Sequence, residues 1–210
     1  MDEAFPEGGA TPEGTPRPHV TWSYAATLDG RSAAADGTSR WISCPAALRD
    51  THRLRSECDA IVVGTETAIL DNPALTARDE HDRPLARQPL RVVVGLRDLD
   101  PGLTVFDDAA ETVQIRTHDP SVVVAELAAR GCGRVLLEGG PTLAASFLCA
   151  GMLDEVIVYI APKFLGAGRA AVADLGVRSI SEAIEAEVTD ITVLEGTPPN
   201  VRITLALRRG

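Results

Sequence analysis

Short apolar runs alternate with helix-like spacing along most of the chain. The runs predict eight β-strands, at Val20–Ala26, Ala60–Val63, Arg91–Val94, Thr112–Arg116, Arg134–Leu137, Glu155–Ile160, Val188–Leu194 and Arg202–Leu207. Three of them, Ala60–Val63, Arg91–Val94 and Arg134–Leu137, are nearly continuous in apolar residues, which is typical of strands covered on both faces. The last run alternates apolar and polar positions, which predicts an antiparallel strand with one face in water.

Helical spacing predicts helices at Pro45–Glu57, Ser121–Arg130, Pro141–Ala150 and Ile180–Glu187. The first begins with a proline, at a position where its missing N–H is not needed. Because strands and helices alternate before a final hairpin, we expect one α/β domain with a three-layer fold. It should have a mixed, mostly parallel sheet, an antiparallel C-terminal edge and helices on both faces.

Residues 1–18 have a different composition from the remainder, with four prolines, three glycines and few apolar side chains. A segment of this kind buries too little apolar surface to offset the entropy of ordering it. We therefore expect a disordered and dispensable tail at 1–18, followed by a single domain over 19–210.

The chain carries 30 acidic and 20 basic residues, a formal net charge of −10. This charge argues against nucleic acid or an anionic membrane surface as a partner, and no apolar run is long enough to cross a bilayer. The four cysteines form no CxxC pair and have no histidine at zinc-site spacing. We therefore expect no metal, free thiols and a reducing, cytoplasmic location.

The segment Glu138-Gly-Gly-Pro-Thr142, directly after an apolar strand, is the most informative motif. Two glycines let backbone N–H groups approach a ligand, and the helix that follows adds free donors suited to a pyrophosphate. A tight strand-to-helix turn without a ligand is the alternative. Gly166–Ala171 formally matches a dinucleotide fingerprint but does not open directly from a strand, so we interpret it as a glycine loop near the site.

Three further residues are candidates for ligand contacts: Asp71 follows a predicted strand, Trp41 precedes the first predicted helix, and Arg55 lies on that helix. Asp71 can be an acid, a hydrogen-bond acceptor or a turn residue. Arg55, on an otherwise apolar helix stripe, can extend to solvent or present its guanidinium fork to a phosphate. Trp41 can wall a nicotinamide ring or belong to the core.

Taken in order, the motifs of this chain resemble one known family. They are Thr27–Gly30, Ser39–Ile42, Arg55, Gly64–Thr67, Asp71–Arg78, Glu138–Leu143 and Asp154–Lys163. In identity and spacing they resemble the C-terminal reductase domain of the bifunctional riboflavin biosynthesis deaminase/reductase. The resemblance implies a dihydrofolate-reductase-like fold, a homodimer, and NADPH-dependent reduction of 5-amino-6-(5-phosphoribosylamino)uracil at the ribose carbon that bears the amine.

Carried over residue by residue, the resemblance also implies a site. Cofactor contacts are implied at Ala25, Trp41, Thr67, Asp71, Gly140, Pro141, Thr142, Leu143, Ala144, Ala145 and Ser146. Substrate contacts are implied at Ser39, Arg55, Leu75, Arg78 and Glu138. Arg55 and Arg78 would hold the 5-phosphate and Glu138 the uracil or ribose. Asp71 would be the catalytic residue beside the transferring hydride, where it positions the reactants and can donate a proton.

The chain departs from the family's pattern at two points. Bifunctional members carry a zinc deaminase domain, whose chemistry needs H-x-E and P-C-x-x-C motifs. Neither motif occurs here, so we expect no zinc and either a free-standing reductase or part of a longer protein. Leu96 stands where family members can place a small hydroxyl residue, and recognition of the NADPH 2′-phosphate would then fall to Arg97.

Two other functions stay open. One keeps the fold and changes the substrate to a pterin or another nucleobase-ribose compound, because fold does not fix function. The other is a non-catalytic nucleotide-binding paralogue. The presence of Arg55, Asp71, Arg78 and Glu138 together argues against the second, since a binding module need not keep all four.

Overall fold

The structure, a computed structural model, describes residues 16–40 and 42–208. The strands are β1 His19–Thr27, β2 Arg31–Ala33, β3 Ala60–Gly64, β4 Leu90–Val94, β5 Thr112–Ile115, β6 Arg134–Leu137, β7 Glu155–Ala161, β8 Arg169–Ala170, β9 Ala186–Leu194 and β10 Asn200–Leu207. The helices are α1 Pro45–Glu57, α2 Thr65–Asp71, α3 Pro120–Ala129 and α4 Pro141–Cys149, with 3₁₀ turns at Thr104–Phe106 and Ile180–Glu182. All eight predicted strands and three of the four predicted helices are therefore confirmed.

Eight strands form one sheet in the order β5-β4-β3-β6-β1-β7-β10-β9. Pairing is parallel from β5 through β7 and antiparallel between β7 and β10 and between β10 and β9. In the parallel part, Ala60–Val63 and Val135–Leu137 are at most 2% exposed. The continuous apolar runs thus belong to strands covered on both faces, and the predicted sheet is confirmed.

Helices cover both faces of this sheet. Ile61 and Val62 are neighbours on β3 and therefore point to opposite faces. On one face, Val62 belongs to a cluster with residues of α3 and α4, including Phe147. On the other, Ile61 packs with Ala68 of α2, and Leu54 of α1 packs against the same cluster. The predicted three-layer α/β fold is confirmed.

The predicted helix Ile180–Glu187 is wrong. Only Ile180–Glu182 turns, as a 3₁₀ helix, and β9 begins at Ala186. Ile180 is 92% exposed, so an apolar helical stripe would have no surface to cover here. The edge of β10 instead offers free hydrogen-bonding groups, and Ala186 pairs with Leu207 across it.

The predicted N-terminal tail lies mostly outside the described residues, which begin at Pro16. Pro16–Pro18 form no regular element. However, Arg17 Nη1 donates a 2.9 Å hydrogen bond to Asp154 Oδ1, a carboxylate that is only 5% exposed. The boundary at residue 18 stays a prediction, and a truncation that begins at Pro16 would keep this ion pair.

Arg91, inside a strand predicted from its apolar neighbours, is fully buried. Its Nε donates to Thr112 Oγ1 at 2.8 Å, and its Nη1 donates to Asp107 Oδ1 at 2.7 Å and to the Ala74 carbonyl at 3.2 Å. Burying a charge is costly unless it is paired and hydrogen-bonded. Arg91 meets that condition and ties the 104–112 connection to the segment that follows α2.

Candidate active site

Two adjoining cavities open at the carboxyl end of the parallel strands, where the loops after β1, β3, β4 and β6 meet. This edge is the usual place for ligands in α/β sheets. We call them the glycine cavity and the carboxylate cavity, after the groups that dominate their walls. They have four residues in common, Thr67, Gly140, Pro141 and Arg169.

The glycine cavity, of about 610 Å³, surrounds the start of α4. Among the described residues, its titratable side chains are Glu66, Arg97, His118 and Arg169, so basic groups outnumber the one carboxylate. The remaining lining residues are Gly64, Thr65, Thr67, Val94, Leu96, Gly140, Pro141, Thr142, Leu143 and Ser146. A basic wall around a helix start suits an anionic ligand.

The start of α4 brings main-chain donors into the glycine cavity. Gly140 is the N-cap and no side chain caps the helix, so N–H groups of the first turn remain available to a ligand. A Cβ on Gly140 would lie 3.3 Å from Thr67 Oγ1, and one on Gly139 would lie 2.9 Å from Leu143 Cδ2. Packing alone explains Gly139, whereas the uncapped helix start fits the diphosphate of a dinucleotide.

The turn after β4 is held to the cavity wall by side chains of β5 and the residue after it. Gln114 Nε2 donates to the carbonyls of Gly95 and Arg97 at 3.0 and 2.8 Å. Arg116 Nη2 donates to the Leu96 carbonyl at 2.8 Å. The Arg97 backbone is thereby fixed, while its guanidinium has no hydrogen-bond or ion-pair partner within 16–40 and 42–208.

The carboxylate cavity, of about 580 Å³, adjoins the first one. Three carboxylates line it, from Asp36, Asp71 and Glu138, and Arg169 is its one basic side chain among the described residues. The remaining lining residues are Trp22, Ser23, Tyr24, Ala25, Ser32, Ala33, Gly37, Thr38, Ser39, Ile42, Ser43, Thr67, Leu70, Gly139, Gly140, Pro141 and Ala171. Such a wall is suited to ligands that donate hydrogen bonds, such as sugar hydroxyls and ring N–H groups.

Asp71 is the last residue of α2 and its side chain faces the carboxylate cavity. The sequence also allowed Asp71 to be a turn residue, but the next residue forms the turn. Asn72 takes the left-handed cap conformation with φ of 41°, and its Oδ1 accepts a 2.7 Å hydrogen bond from the Thr104 N–H. No hydrogen bond holds the Asp71 carboxylate within the described part of the chain, so it is free to act on a ligand.

Arg55 does not extend to solvent, because Glu138 takes up its fork. Nε and Nη2 donate to the two carboxylate oxygens at 2.8 and 2.7 Å, and the side chains are 15% and 12% exposed. Burial disfavours the charge on Arg55, but the adjacent carboxylate outweighs it and raises the pKa of Arg55. Burial and the same carboxylate raise the pKa of the Cys58 thiol to about 12, so this thiol stays protonated.

Thr76 links the two predicted phosphate ligands. Its carbonyl accepts from Arg55 Nη1 at 3.1 Å, and its Oγ1 accepts from Arg78 Nε at 3.1 Å. His52 Nδ1 lies 3.2 Å from the same carbonyl. Burial, followed by the neighbouring Arg55, lowers the pKa of His52, so the neutral ring donates from Nδ1 and leaves Nε2 as an acceptor.

The structure brings most of the predicted contacts to the two cavities. Thr67, Gly140, Pro141, Thr142, Leu143 and Ser146 line the glycine cavity, while Ala25, Ser39, Asp71 and Glu138 line the carboxylate cavity. Others lie elsewhere: Ala144 and Ala145 are buried in α4, Leu75 is buried with φ of 49°, and Arg55 and Arg78 meet at Thr76. Trp41 lies outside the described residues.

The sequence analysis missed three residues of this region. Thr76 gives no local signal, since its partners lie on α1 and in its own loop. His118 lies three residues beyond β5 and belongs to none of the motifs that carry the resemblance. Arg169 lies within the glycine loop Gly166–Ala171, which we did not interpret as a dinucleotide fingerprint. As predicted, that loop lies near the site, where Arg169 lines both cavities.

Within the described residues, no helix is long and apolar enough to cross a membrane. The same residues contain no group of three or more histidine, cysteine or acidic side chains that could hold a metal ion. All four cysteines are free thiols.

The parallel sheet, the antiparallel edge and the paired cavities define an α/β protein with a dihydrofolate-reductase-like fold. A family model described as the RibD C-terminal domain matches residues 18–196. The chain therefore belongs to the RibD C-terminal domain family.

Curated and solved relatives agree with this assignment. The riboflavin biosynthesis protein RibD of Mycobacterium tuberculosis is 49% identical over 191 residues, which are 91% of this chain and 55% of that protein. A Methanothermobacter thermautotrophicus protein named 2,5-diamino-6-ribosylamino-4(3H)-pyrimidinone 5′-phosphate reductase is 37% identical over 199 residues, 82% of this chain and 91% of its own. The structure of Acinetobacter baumannii RibD matches with a TM-score of 0.80 at 27% identity, over 91% of this chain and 58% of that one. The chain thus spans about half the length of the RibD proteins it matches.

Proposed function

We propose that this chain is an NADPH-dependent reductase of riboflavin biosynthesis that converts 5-amino-6-(5-phosphoribosylamino)uracil to the ribitylamino compound. The observation that carries the proposal is the junction of two unlike cavities. One offers a helix start and basic side chains, and the other offers carboxylates that include Asp71 and Glu138. A dinucleotide that reaches from the first cavity into the second would place its nicotinamide against a sugar there.

The residues of the glycine cavity fit NADPH. First-turn N–H groups of α4 would hold the diphosphate, with Thr67 and Ser146 beside them. Arg97, on its fixed turn and with His118 in the same wall, would hold the 2′-phosphate, which NADH lacks. When bound, the cofactor would supply a hydride within the carboxylate cavity.

The carboxylate cavity would hold the substrate. The Ser39 hydroxyl would donate or accept hydrogen bonds at the ribose and the uracil, and the Glu138 carboxylate would accept them. Three of the five N–H groups of Arg55 donate to Glu138 and Thr76. The other two would donate to the substrate phosphate. Arg78 would complete the phosphate site, and Leu75, whose side chain is only 2% exposed, would contribute through its backbone.

Asp71 is the proposed catalytic residue. The reaction delivers a hydride to the ribose carbon that bears the amine, in the ring-opened imine form. A carboxylate at this point can stabilise the positive charge of a protonated imine, and the protonated carboxyl group can supply a proton. Asp71 is suited to either role because its carboxylate faces the cavity without a partner among the described residues.

A second substrate is favoured by one relative. The Methanothermobacter thermautotrophicus protein, matched over 91% of its own length, is named for the 2,5-diamino pyrimidinone phosphate. The two compounds differ at one ring position, where an exocyclic amine replaces an oxygen. The alternative function is therefore reduction of the amino compound, before any deamination.

We also propose a cytoplasmic homodimer. The outer strand β9 leaves Val188, Ile191 and Val193 more than half exposed, and an exposed apolar strand at a sheet edge invites pairing with another chain. Four unpaired cysteines support a reducing compartment. Sedimentation of the purified chain, with Ile191→Lys as the control, tests the oligomeric state. A wild-type monomer would contradict it.

The decisive experiment for the activity is NADPH oxidation by the purified chain with each of the two pyrimidine phosphates. We expect turnover with 5-amino-6-(5-phosphoribosylamino)uracil and much slower turnover with its 2-amino counterpart. The reverse preference would establish the alternative substrate. Cofactor binding without turnover of either compound would support the nucleotide-binding paralogue instead.

A further inference from the structure

Arg169 is the one basic side chain that lines both cavities within the described part of the chain. It lies on β8, directly after Gly168 in the glycine loop Gly166–Ala171. We infer that Arg169 clamps the diphosphate of the dinucleotide from the loop side, opposite the start of α4. This inference rests on the proposed function, because it assumes that a dinucleotide spans the two cavities.

The backbone that carries Arg169 is anchored at several points. The Asp29 carboxylate accepts hydrogen bonds from the N–H groups of Leu165 and Gly166, the latter at 2.6 Å. Arg31 Nη1 donates to the Gly168 carbonyl at 3.3 Å, and Arg169 pairs with Ala33 of β2. The loop is thereby tied to the turn after β1.

Gly168 fixes how closely this loop approaches β2. Its φ of 108° disfavours any other residue, and a Cβ there would collide with the Ala33 carbonyl and Ala34. The position of the Arg169 Cα is therefore set by main-chain packing. Its side chain is not: the residue is exposed, and its guanidinium has no hydrogen-bond or ion-pair partner in the described ranges.

This freedom distinguishes Arg169 from the arginines that stabilise the fold. Arg91 is fully buried in a hydrogen-bond network, and the Arg55 fork is engaged by Glu138. A planar guanidinium that is held at its base and free at its tip matches the geometry of a phosphate, which accepts two parallel N–H bonds.

The diphosphate is the part of the cofactor that must lie at the junction. A dinucleotide with its adenosine in the glycine cavity and its nicotinamide in the carboxylate cavity joins the two halves through that group. Arg169 shares the junction with Thr67, Gly140 and Pro141. The 2′-phosphate would instead meet Arg97 and His118, which line the glycine cavity alone.

The test is a set of equilibrium titrations on the full chain with Arg169→Gln and Arg169→Lys, followed by fluorescence of the reduced cofactor. We expect Arg169→Gln to weaken NADPH and NADH by the same factor, about tenfold, as for the loss of one charge-assisted contact. Arg169→Lys should recover part of the affinity. Adenosine 2′-monophosphate lacks the diphosphate. Its dissociation constant, measured by displacement of NADPH, should therefore be the same for the Arg169 variants as for the wild-type protein.

Two further variants control for indirect effects. Arg178→Gln removes an exposed arginine that pairs with Asp174 outside both cavities, and it should leave every affinity unchanged. Gly168→Ala keeps Arg169 but displaces its backbone, and it should weaken NADPH as well. Melting temperatures of all variants establish that each is folded before the titrations are compared.

The outcomes separate the inference from the proposed function. Unchanged NADPH affinity in Arg169→Gln would overturn the inference. Binding of NADPH by the wild-type protein would in that case still support the proposed cofactor. A loss confined to NADPH and adenosine 2′-monophosphate would assign Arg169 to the 2′-phosphate, and weaker binding of ribose 5-phosphate alone would assign it to the substrate. Wild-type protein that binds neither reduced cofactor would overturn the proposed function and the inference with it.

Discussion

The two cavities share four residues and one edge of the sheet, yet different chemical groups line their walls. The glycine cavity presents main-chain donors at a helix start and three basic side chains. The carboxylate cavity presents three carboxylates, one of them held by Arg55. An anionic ligand suits the first and a ligand rich in hydrogen-bond donors suits the second. A reductase needs this contrast, because it must bind two unlike molecules with their reacting atoms in contact.

The contrast predicts that a change in the carboxylate cavity lowers the reaction rate more than it lowers cofactor affinity. Asp71→Asn should lower the single-turnover rate by about two orders of magnitude or more, the range of general acid–base catalysis. The NADPH dissociation constant should change less than the rate does. The melting temperature should not change, because Asn72 holds the left-handed cap. Wild-type turnover would remove Asp71 from the mechanism, and a loss of cofactor affinity alone would make it a cofactor contact without a catalytic role.

The Arg55–Glu138 pair tests whether a wall of the carboxylate cavity is structural or functional. Arg55→Met leaves Glu138 unpaired in a site only 12% exposed, which should lower the free energy of unfolding by about 3–5 kcal/mol. The double variant Arg55→Met/Glu138→Leu should recover most of that stability, as measured by urea unfolding. It should remain inactive. Recovery of activity together with stability would make the pair purely structural.

Arg78 tests where the substrate phosphate lies. Arg78→Ala should weaken the phosphorylated substrate by about 1.5–3 kcal/mol, which is roughly one to two orders of magnitude, and Arg78→Lys should restore part of it. Because Arg55 and Arg78 both donate to Thr76, their substitutions should be non-additive. The comparison is the same titration with the dephosphorylated substrate. Equal weakening of both forms would exclude a phosphate contact.

The smallest expected effect concerns cofactor choice in the glycine cavity. Arg97→Gln should lower the affinity for NADPH by about tenfold or less, because the side chain is exposed and screened, with no change for NADH. Leu96→Ser adds a hydroxyl to the same wall and should shift the preference towards NADPH. Titration of NADPH and NADH against both variants and the wild-type protein measures this preference. Equal affinities of the wild-type protein for the two cofactors would contradict the proposed 2′-phosphate site.

Residues near one another in the chain already encoded most of the fold. The continuous apolar runs at Ala60–Val63 and Arg134–Leu137 predicted strands covered on both faces, because such strands have no face for polar residues. The glycine pair before Pro141 predicted a strand-to-helix turn with free N–H groups. The same local pattern failed at Ile180–Glu187, where helical spacing lies on a surface that no other element covers.

Tertiary structure decided the partners of the charged side chains. Arg55 and Glu138 are 83 residues apart in the chain, and no periodicity indicates that their fork and carboxylate meet. Arg91 stands first in the predicted strand Arg91–Val94, and nothing in the sequence indicates its acceptors on the 104–112 connection. Arg169 reaches the junction because β8 pairs with β2. Local sequence fixes which face of an element is apolar, whereas a charge pair depends on which elements the sheet order brings together.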